Sequence, residues 1–204
     1  MADSIANSWP RIEAWLNSNA PDAAKRLHPG ASDEQIAALD ATLAVALPDD
    51  LKESLRIHNG AEELGVFPSS DTSGLDLMAF SPLTAEEIAN EWKMWKGLID
   101  GGEFEDRTTN PTHGICSDWW SNSWIPIATN GSGDFQCVDL APTESGTVGQ
   151  IIGAWHDDDE RQLIASSLAD YLQWIADGLE NGKYEFEEDE GIIQADDDED
   201  EDEL

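Results

Sequence analysis

The chain has 204 residues, of which 44 are acidic and 10 are basic, and its net charge is −34. A protein this acidic repels nucleic acids and anionic membranes and attracts basic partners, although solubility and adaptation to a salty cytoplasm are alternative explanations. No apolar run approaches the roughly 18 residues that span a bilayer, and the first 15 residues lack the basic and apolar regions of a signal peptide. We therefore expect a cytoplasmic protein that binds neither nucleic acid nor membrane.

Three helices are predicted in the first 60 residues. The first begins near Ser8, with Pro10 in its first turn, where a missing N–H is tolerated. The second begins at Ser32, which forms a capping box with Gln35 three residues later. The third stops at Gly60, because glycine readily adopts the left-handed conformation that terminates a helix.

The central part of the chain is predicted to contain strands, one helix and a loop. Apolar pieces at 64–67 and 75–80 are interpreted as strands on either side of a turn. A helix begins at Thr84, which forms a second capping box with Glu87. Residues 98–123 show no clear period and are interpreted as a long loop.

Three more strands are predicted, with the sequences WIPIAT, DFQCVDL and VGQIIGAWH. Gly131 and Gly133 permit the positive φ of a tight turn after the first of them, and Asp134 can brace this turn by accepting its N–H groups. The first two strands should therefore form an antiparallel hairpin. Pro126 lacks an N–H, so its strand is expected to be an edge strand or to contain a bulge.

A final helix begins near Ser166 or Ser167, and the order of elements indicates an α+β fold: a single domain with an antiparallel (mixed) sheet flanked by helices. Residues 1–184 are assigned to this domain, with a net charge of −21. Residues 185–204 hold 13 acidic and no basic residues and are predicted to form a disordered acidic tail. The start of the extension, at 183–188, alternates aromatic and charged residues like an edge strand and is expected to pack.

The sequence shows none of the common signs of a catalytic or metal site. The turn at 130–133 is not followed by the Lys-Ser or Lys-Thr of a phosphate loop, and no Gly-x-Ser-x-Gly motif occurs. Cys116 and Cys137 lack the spacing of zinc ligands and are predicted to be reduced thiols in or near the core. The acidic run at 156–160 lacks the glycine and spacing of a calcium loop and is interpreted as a solvated charge run. We predict no enzymatic activity, metal or cofactor.

Four segments in this order resemble the SUKH superfamily. They are LPDDLKESLRIHNG (47–60), LTAEEIANEWKMW (83–95), WIPIATNGSGDFQCVDL (124–140) and GTVGQIIGAWHDDD (146–159). The resemblance covers residues 8–178, while the loop at 98–123 and the extension at 183–204 depart from it. It implies a SUKH-like domain that binds proteins through a shallow concave surface, bordered by the 130–133 turn and neighbouring loops.

The resemblance implies two alternative functions. Bacterial members of the superfamily are mostly immunity proteins, so the first expectation is a protein that neutralises a cognate toxin. That toxin would be basic, and this chain would occlude its active-site groove. Fungal members act as regulators, so the alternative is a non-catalytic regulatory or scaffold module.

Binding surfaces are anchored by aromatic side chains and ringed by charge. Trp119 and Trp120 would anchor a basic partner if they are exposed, whereas they would only pin the 98–123 loop if they are buried. Acidic residues near this loop, after the third helix and after the last strand would form the rim and speed encounter. The candidate partner-binding residues are Glu62, Glu63, Glu103, Glu105, Asp106, Asp118, Trp119, Trp120, Asp157, Asp158, Asp159 and Glu160.

Overall fold

A computed structural model describes residues 4–43, 45–69 and 79–195 of the chain. These residues contain six helices: α1 (Ile5–Asn19), α2 (Pro21–Ala24), α3 (Asp33–Leu43), α4 (Asp49–Ile57), α5 (Ala85–Asp100) and α6 (Leu168–Glu180). The same residues contain eight short strands: β1 (Ser81–Pro82), β2 (Asn110–Pro111), β3 (Trp124–Thr129), β4 (Phe135–Asp139), β5 (Gln150–Ala154), β6 (Glu160–Ala165), β7 (Tyr184–Glu187) and β8 (Gly191–Gln194). No helix in these ranges combines the length and the apolar character that crossing a membrane requires.

Six strands form one mixed sheet in the order β1-β3-β4-β5-β6-β2. All neighbouring strands are antiparallel except β2 and β6, which are parallel. The central strands β4 and β5 are buried at every residue, because helices cover the sheet: α5 packs against β3, and α6 against β5 and β6. The predicted α+β domain is therefore confirmed.

Both predicted capping boxes are present. Ser32 Oγ accepts a hydrogen bond from Gln35 N at 3.2 Å, and Gln35 Oε1 accepts one from Ser32 N at 2.9 Å. Thr84 and Glu87 make the same reciprocal pair at 3.1 and 2.8 Å. Each box satisfies two N–H groups that a helix start leaves unpaired, so local sequence determines where α3 and α5 begin.

The first helix begins earlier than predicted, with Ser4 at its N-terminal cap position instead of Ser8. Ile5 is 1% exposed, so the buried face starts before the proline and draws the preceding residues into the helix. Pro10 lies inside α1 on its exposed side, where its missing N–H removes one helical hydrogen bond.

The hairpin of β3 and β4 is confirmed as antiparallel, and its register shifts between Pro126 and Ala128. This irregularity is the predicted bulge, which removes the need for an N–H at the proline. Of the two strands predicted earlier, Phe67 and Phe80 form an isolated antiparallel bridge. Most of the predicted strand at 75–80 lies outside the described residues.

The boundary of the folded domain lies further along the chain than the predicted residue 184. Strands β7 and β8 pair antiparallel as a separate two-stranded sheet, and Tyr184 and Ile192 are buried in the core. A Cβ on Gly178 would lie 2.3 Å from the Tyr184 ring, so the glycine in α6 makes room for this strand. Two buried apolar side chains thus hold a segment whose acidic composition suggested disorder. The acidic run at 196–204 lies outside the described residues.

Both cysteines are free thiols, as predicted. Cys137 in β4 is fully buried, and burial raises the pKa of its thiol well above the ordinary value. Cys116 is half-buried, and burial followed by the charge of Asp139 raises the pKa of its thiol as well.

Candidate protein-binding groove

An open groove of about 770 Å³ lies beside β1, between the turn that joins β3 to β4 and the hairpin of β7 and β8. Strand β1 is the outermost strand of the main sheet on this side, and the hairpin forms a sheet of its own, so the two sheets leave a gap between them. Leu64, Pro82 and Leu83 form a buried floor, and Phe186 adds a half-buried aromatic ring. Asn130 and Gly131 of the turn at 130–133, which was expected to border a concave binding surface, are part of the lining.

Backbone hydrogen bonds hold the hairpin against the floor. Ile192 N donates to Gly65 O at 2.8 Å, and Ala79 N donates to Glu190 O at 2.9 Å. Gly191 has a φ of +84°, and a Cβ at this position would lie 2.5 Å from Gly65 O. A side chain there would push the hairpin away, so glycine is required for the wall to approach this closely.

The lining of the groove is strongly acidic. Six carboxylates and a single guanidinium, that of Arg26, lie along it among the described residues. The carboxylates are those of Glu62, Glu63, Glu87, Glu188, Asp189 and Glu190. Two of them, Glu62 and Glu63, were predicted as partner-binding residues, and the other four were not.

Arg26 links two acidic segments of the groove lining. Its guanidinium donates to the Glu188 carboxylate in the hairpin and, through Nη1, to the backbone oxygen of Glu63 at 3.4 Å. Glu62 N donates to Arg26 O at 2.9 Å. The arginine therefore joins the α2–α3 connection to both acidic segments of the lining.

Glu63 has a φ of +46° and is the one non-glycine residue with positive φ in the described ranges. The left-handed conformation costs a residue with a Cβ about 1–2 kcal/mol. This backbone turns the chain sharply between the exposed Glu62–Glu63 pair and the buried Leu64. It thereby places two carboxylates at the rim and an apolar side chain on the floor.

The turn between β3 and β4 borders the groove through Asn130 and Gly131. Gly131 and Gly133 have φ values of +79° and +103°. Asn130 Oδ1 accepts hydrogen bonds from Ser132 N at 2.9 Å and from Asp134 N at 3.3 Å. The side chains that accept turn N–H groups are thus Asn130 and Thr129, whose Oγ1 accepts from Gly131 N at 3.1 Å, whereas Asp134 reaches out of the turn.

Asp134 joins this turn to the end of β5. Its Oδ1 lies 2.9 Å from both N and Nδ1 of His156, and its Oδ2 accepts from Asn130 Nδ2 at 2.8 Å. Asp134, His156 and Asp157 also form the one group of possible metal-ligating side chains close enough to share an ion among the described residues. Since the oxygens of Asp134 already accept hydrogen bonds from neighbouring residues, we interpret the group as a brace of the turn.

The remaining predicted acidic residues do not line the groove. Glu103, Glu105 and Asp106 are exposed in the turn after α5, whereas Glu87, near the start of the same helix, is at the groove. A 16-residue helix is about 24 Å long, so these residues lie far from the groove. The other predicted acidic residues outside its lining are also exposed; they are Asp118, Asp157, Asp158, Asp159 and Glu160.

Trp119 and Trp120 are 8% and 5% exposed. They are therefore buried and do not form an exposed anchor for a partner. The Trp120 ring stacks on Trp95 with centroids 4.0 Å apart and an interplanar angle of 9°. Arg107 and Arg161 place their guanidinium carbons 4.5 and 5.1 Å from the centroid of the Trp119 ring. These contacts pin the 98–123 segment to the core, which is the role expected for the two tryptophans if they were buried.

Sequence reasoning missed Glu87 and the acidic residues of the hairpin. Glu188, Asp189 and Glu190 were assigned to the tail because of their charge. The alternation of Tyr184 and Phe186, followed by another apolar pair at 192–193, was the available signal for a hairpin with an acidic turn.

The sequence model of the SMI1 / KNR4 family (SUKH-1) matches residues 30–174. A cell wall biosynthesis/cell cycle regulator, smi1, of Schizosaccharomyces pombe is 30% identical over 202 residues, which cover 93% of this chain and 39% of that protein. A glucan synthesis regulatory protein of Neurospora crassa is 27% identical, with 91% and 40% covered. The cell wall assembly regulator SMI1 of Saccharomyces cerevisiae is 24% identical, with 87% and 41% covered.

The chain therefore spans about two fifths of the length of these relatives. With the greater part of its sequence matched by the family model, the chain belongs to the SMI1 / KNR4 family (SUKH-1).

Proposed function

We propose that this chain is a non-catalytic regulatory module that binds other proteins and acts in the control of cell wall glucan synthesis. The observation that carries the proposal is the open acidic groove beside β1, which offers a concave surface with charged walls and an apolar floor. The proposed process, cell wall glucan synthesis, is taken from the names of the relatives, which are regulators of cell wall assembly and glucan synthesis.

The side chains of the groove favour binding over catalysis. Its described lining contains no His, Cys or Lys, which are common general bases and activated nucleophiles in enzymes. The Glu87 carboxylate is engaged at the start of α5 by Thr84 N, and the Glu188 carboxylate is engaged by Arg26. The remaining carboxylates are suited to attract a cationic partner.

The regulatory function is favoured over neutralisation of a bacterial toxin, which the resemblance also implied. Each relative reported above is named as a regulator, and no feature of the groove is specific to a toxin. We therefore propose regulatory partner proteins in place of a cognate toxin. We also propose that the module acts in the cytoplasm, because its two cysteines are free thiols, as is usual in a reducing compartment.

A domain replacement tests this function. The matching segment of the S. pombe regulator is replaced by this chain, and growth is measured in the presence of a wall-digesting glucanase, together with the glucan content of the wall. We expect the replacement to restore both towards the level of the intact regulator.

The control replacement carries Trp124→Asp, which places a charge at a fully buried position of β3 and should abolish folding. A folded replacement, present at the normal protein level, that leaves growth and glucan content at the level of the deletion would contradict the proposal.

A further inference from the structure

The charge and the apolar floor of the acidic groove indicate which kind of protein segment it binds. We infer that it binds a segment of another protein in which Lys or Arg side chains flank an apolar residue. This inference rests on the proposed protein-binding function and names the partner chemistry of the same site.

The charge of the lining is the first step. Glu62, Glu63 and Asp189 are exposed and line the groove from two segments that are far apart in the chain. The one cation of the described lining, Arg26, is already paired with Glu188, so it does not neutralise these three carboxylates. Carboxylates gathered in a concave site concentrate the negative potential, so the groove attracts cationic side chains and repels the phosphates of nucleic acids and anionic lipids.

Arg26 shows that the groove accommodates a guanidinium group. Its donors reach a carboxylate of the hairpin and the backbone oxygen of Glu63, so acceptors from two segments of the lining converge on one cation. The planar guanidinium can donate to several acceptors at once. An arginine from a partner would find the same types of acceptor further along the lining.

The floor supplies the apolar part of the recognition. Leu64 and Leu83 are 1% and 7% exposed and lie under the acidic rim, with the half-buried Phe186 beside them. Small inorganic cations gain nothing from such a floor, whereas an apolar side chain between two basic ones can bury its surface there. The combination of acidic rim and apolar floor therefore fits a protein segment better than a free cation.

A titration with defined peptides tests the inference. The full chain is titrated into a fluorescein-labelled peptide with the repeat Arg-Leu-Arg, and binding is followed by fluorescence anisotropy at about 0.15 M salt, where long-range attraction is screened. A second peptide carries Ser in place of Leu and has the same charge. We expect the Leu peptide to bind at least about threefold more tightly, because only Leu can use the floor.

Two triple variants separate the groove from the general acidity of the chain. The groove variant is Glu62→Gln, Glu63→Gln, Asp189→Asn; the control is Glu103→Gln, Glu105→Gln, Asp106→Asn, which makes the same chemical changes at the far end of α5. The groove variant should weaken the Leu peptide at least about tenfold, and the control less than about twofold. Equal weakening by the two variants, or none by the groove variant, would overturn the inference.

The variant Arg26→Ala provides a test in which the expected result is tighter binding, which a misfolded protein would not show. Removal of the internal cation frees the Glu188 carboxylate, so we expect the Leu peptide to bind about two- to fivefold more tightly. Weaker or unchanged binding by an Arg26→Ala variant whose melting temperature equals that of the original chain, which shows that the hairpin stays in place, would contradict the inference.

The outcomes also separate the inference from the function on which it rests. If both triple variants weaken the peptide equally while the domain replacement restores growth, the groove inference fails and the regulatory function stands. If the replacement fails to restore growth while the peptide shows the expected groove dependence, the regulatory function fails and the groove inference stands. A dimer of the chain that dissociates in the groove variant would assign the groove to a second copy and would overturn the inference.

Discussion

Arg161 in β6 carries its charge in the interior, where its side chain is fully buried. The guanidinium donates to three backbone oxygens: those of Asp158 at 2.9 Å, Glu160 at 2.5 Å and Trp119 at 2.7 Å. Burial lowers the pKa of this group to about 10, so it remains protonated at neutral pH. Its role is to tie the 98–123 segment to the start of β6.

The replacement Arg161→Ala should lower the free energy of unfolding by about 2–4 kcal/mol, because it removes a fully buried side chain and leaves the buried Trp119 carbonyl without its donor. The control is Arg107→Ala, which removes an exposed guanidinium from the face of the same Trp119 ring. That change should cost only about 0.5–1 kcal/mol. Urea unfolding measures both, and equal losses would show that the buried hydrogen bonds of Arg161 contribute little.

Two buried tyrosines make the fold sensitive to alkaline pH. Burial raises the pKa of Tyr184 to about 12 and raises the pKa of Tyr171 further still. The folded protein holds these protons more tightly than the unfolded chain, whose tyrosines titrate near pH 10. Their contribution to stability is therefore fully present below about pH 10 and is lost as the pH rises towards 12.

The variant Tyr184→Phe removes one of these groups while it keeps the aromatic ring. We expect its unfolding free energy to fall less steeply between about pH 10 and 12 than that of the original chain. At pH 7 the two proteins should differ by less than about 1 kcal/mol. The same slope in both proteins would exclude Tyr184 as a source of the alkaline sensitivity.

At the scale of elements, the hairpin of β7 and β8 belongs to the core although its sequence is acidic. It contributes the buried side chains of Tyr184 and Ile192, and each fully buried apolar side chain stabilises the fold by about 1.5–3 kcal/mol. A chain that lacks residues 184–204 should therefore lose several kcal/mol of stability, measured by thermal unfolding.

Removal of residues 196–204 alone should leave the melting temperature nearly unchanged, because the core contacts of the hairpin lie within 184–194. This shorter truncation is the control for the longer one. A large loss of stability on removal of 196–204 would show that the acidic run itself packs on the domain.

Elements that depend on local sequence were predictable, and those that depend on distant contacts were not. The capping boxes at Ser32 and Thr84 and the bulge at Pro126 follow from the chemistry of neighbouring residues. The groove requires Glu62 and Asp189, separated by more than a hundred residues, to line the same concave surface. Only long-range contacts, such as the backbone hydrogen bond from Ile192 N to Gly65 O, bring their segments together, and no local pattern encodes such contacts. For the same reason, the sequence left open whether Trp119 is buried.

At the scale of the whole molecule, the net charge of −34 acts against the compact state. Like charges repel each other more strongly in the folded protein, where they lie closer together, and salt screens this repulsion over about 10 Å at 0.1 M. We expect the melting temperature to rise by several degrees between about 0.01 and 0.3 M sodium chloride. Sucrose at equal osmolality is the control for non-ionic effects, and a melting temperature independent of salt would show that the charges are already balanced within the fold.

The rates at which the two thiols are alkylated report how often the folded protein opens. The thiolate is the form of cysteine that reacts with alkylating reagents, and Cys137 is both fully buried and held in the protonated form. It should therefore be labelled only when the central sheet opens, at a rate that reports how often the folded chain visits an open state. Cys116, being half-buried, should react first. The ratio of the Cys137 labelling rate, followed by mass spectrometry, to the rate of the same thiol in the unfolded chain then gives the free energy of opening in dilute buffer without any denaturant.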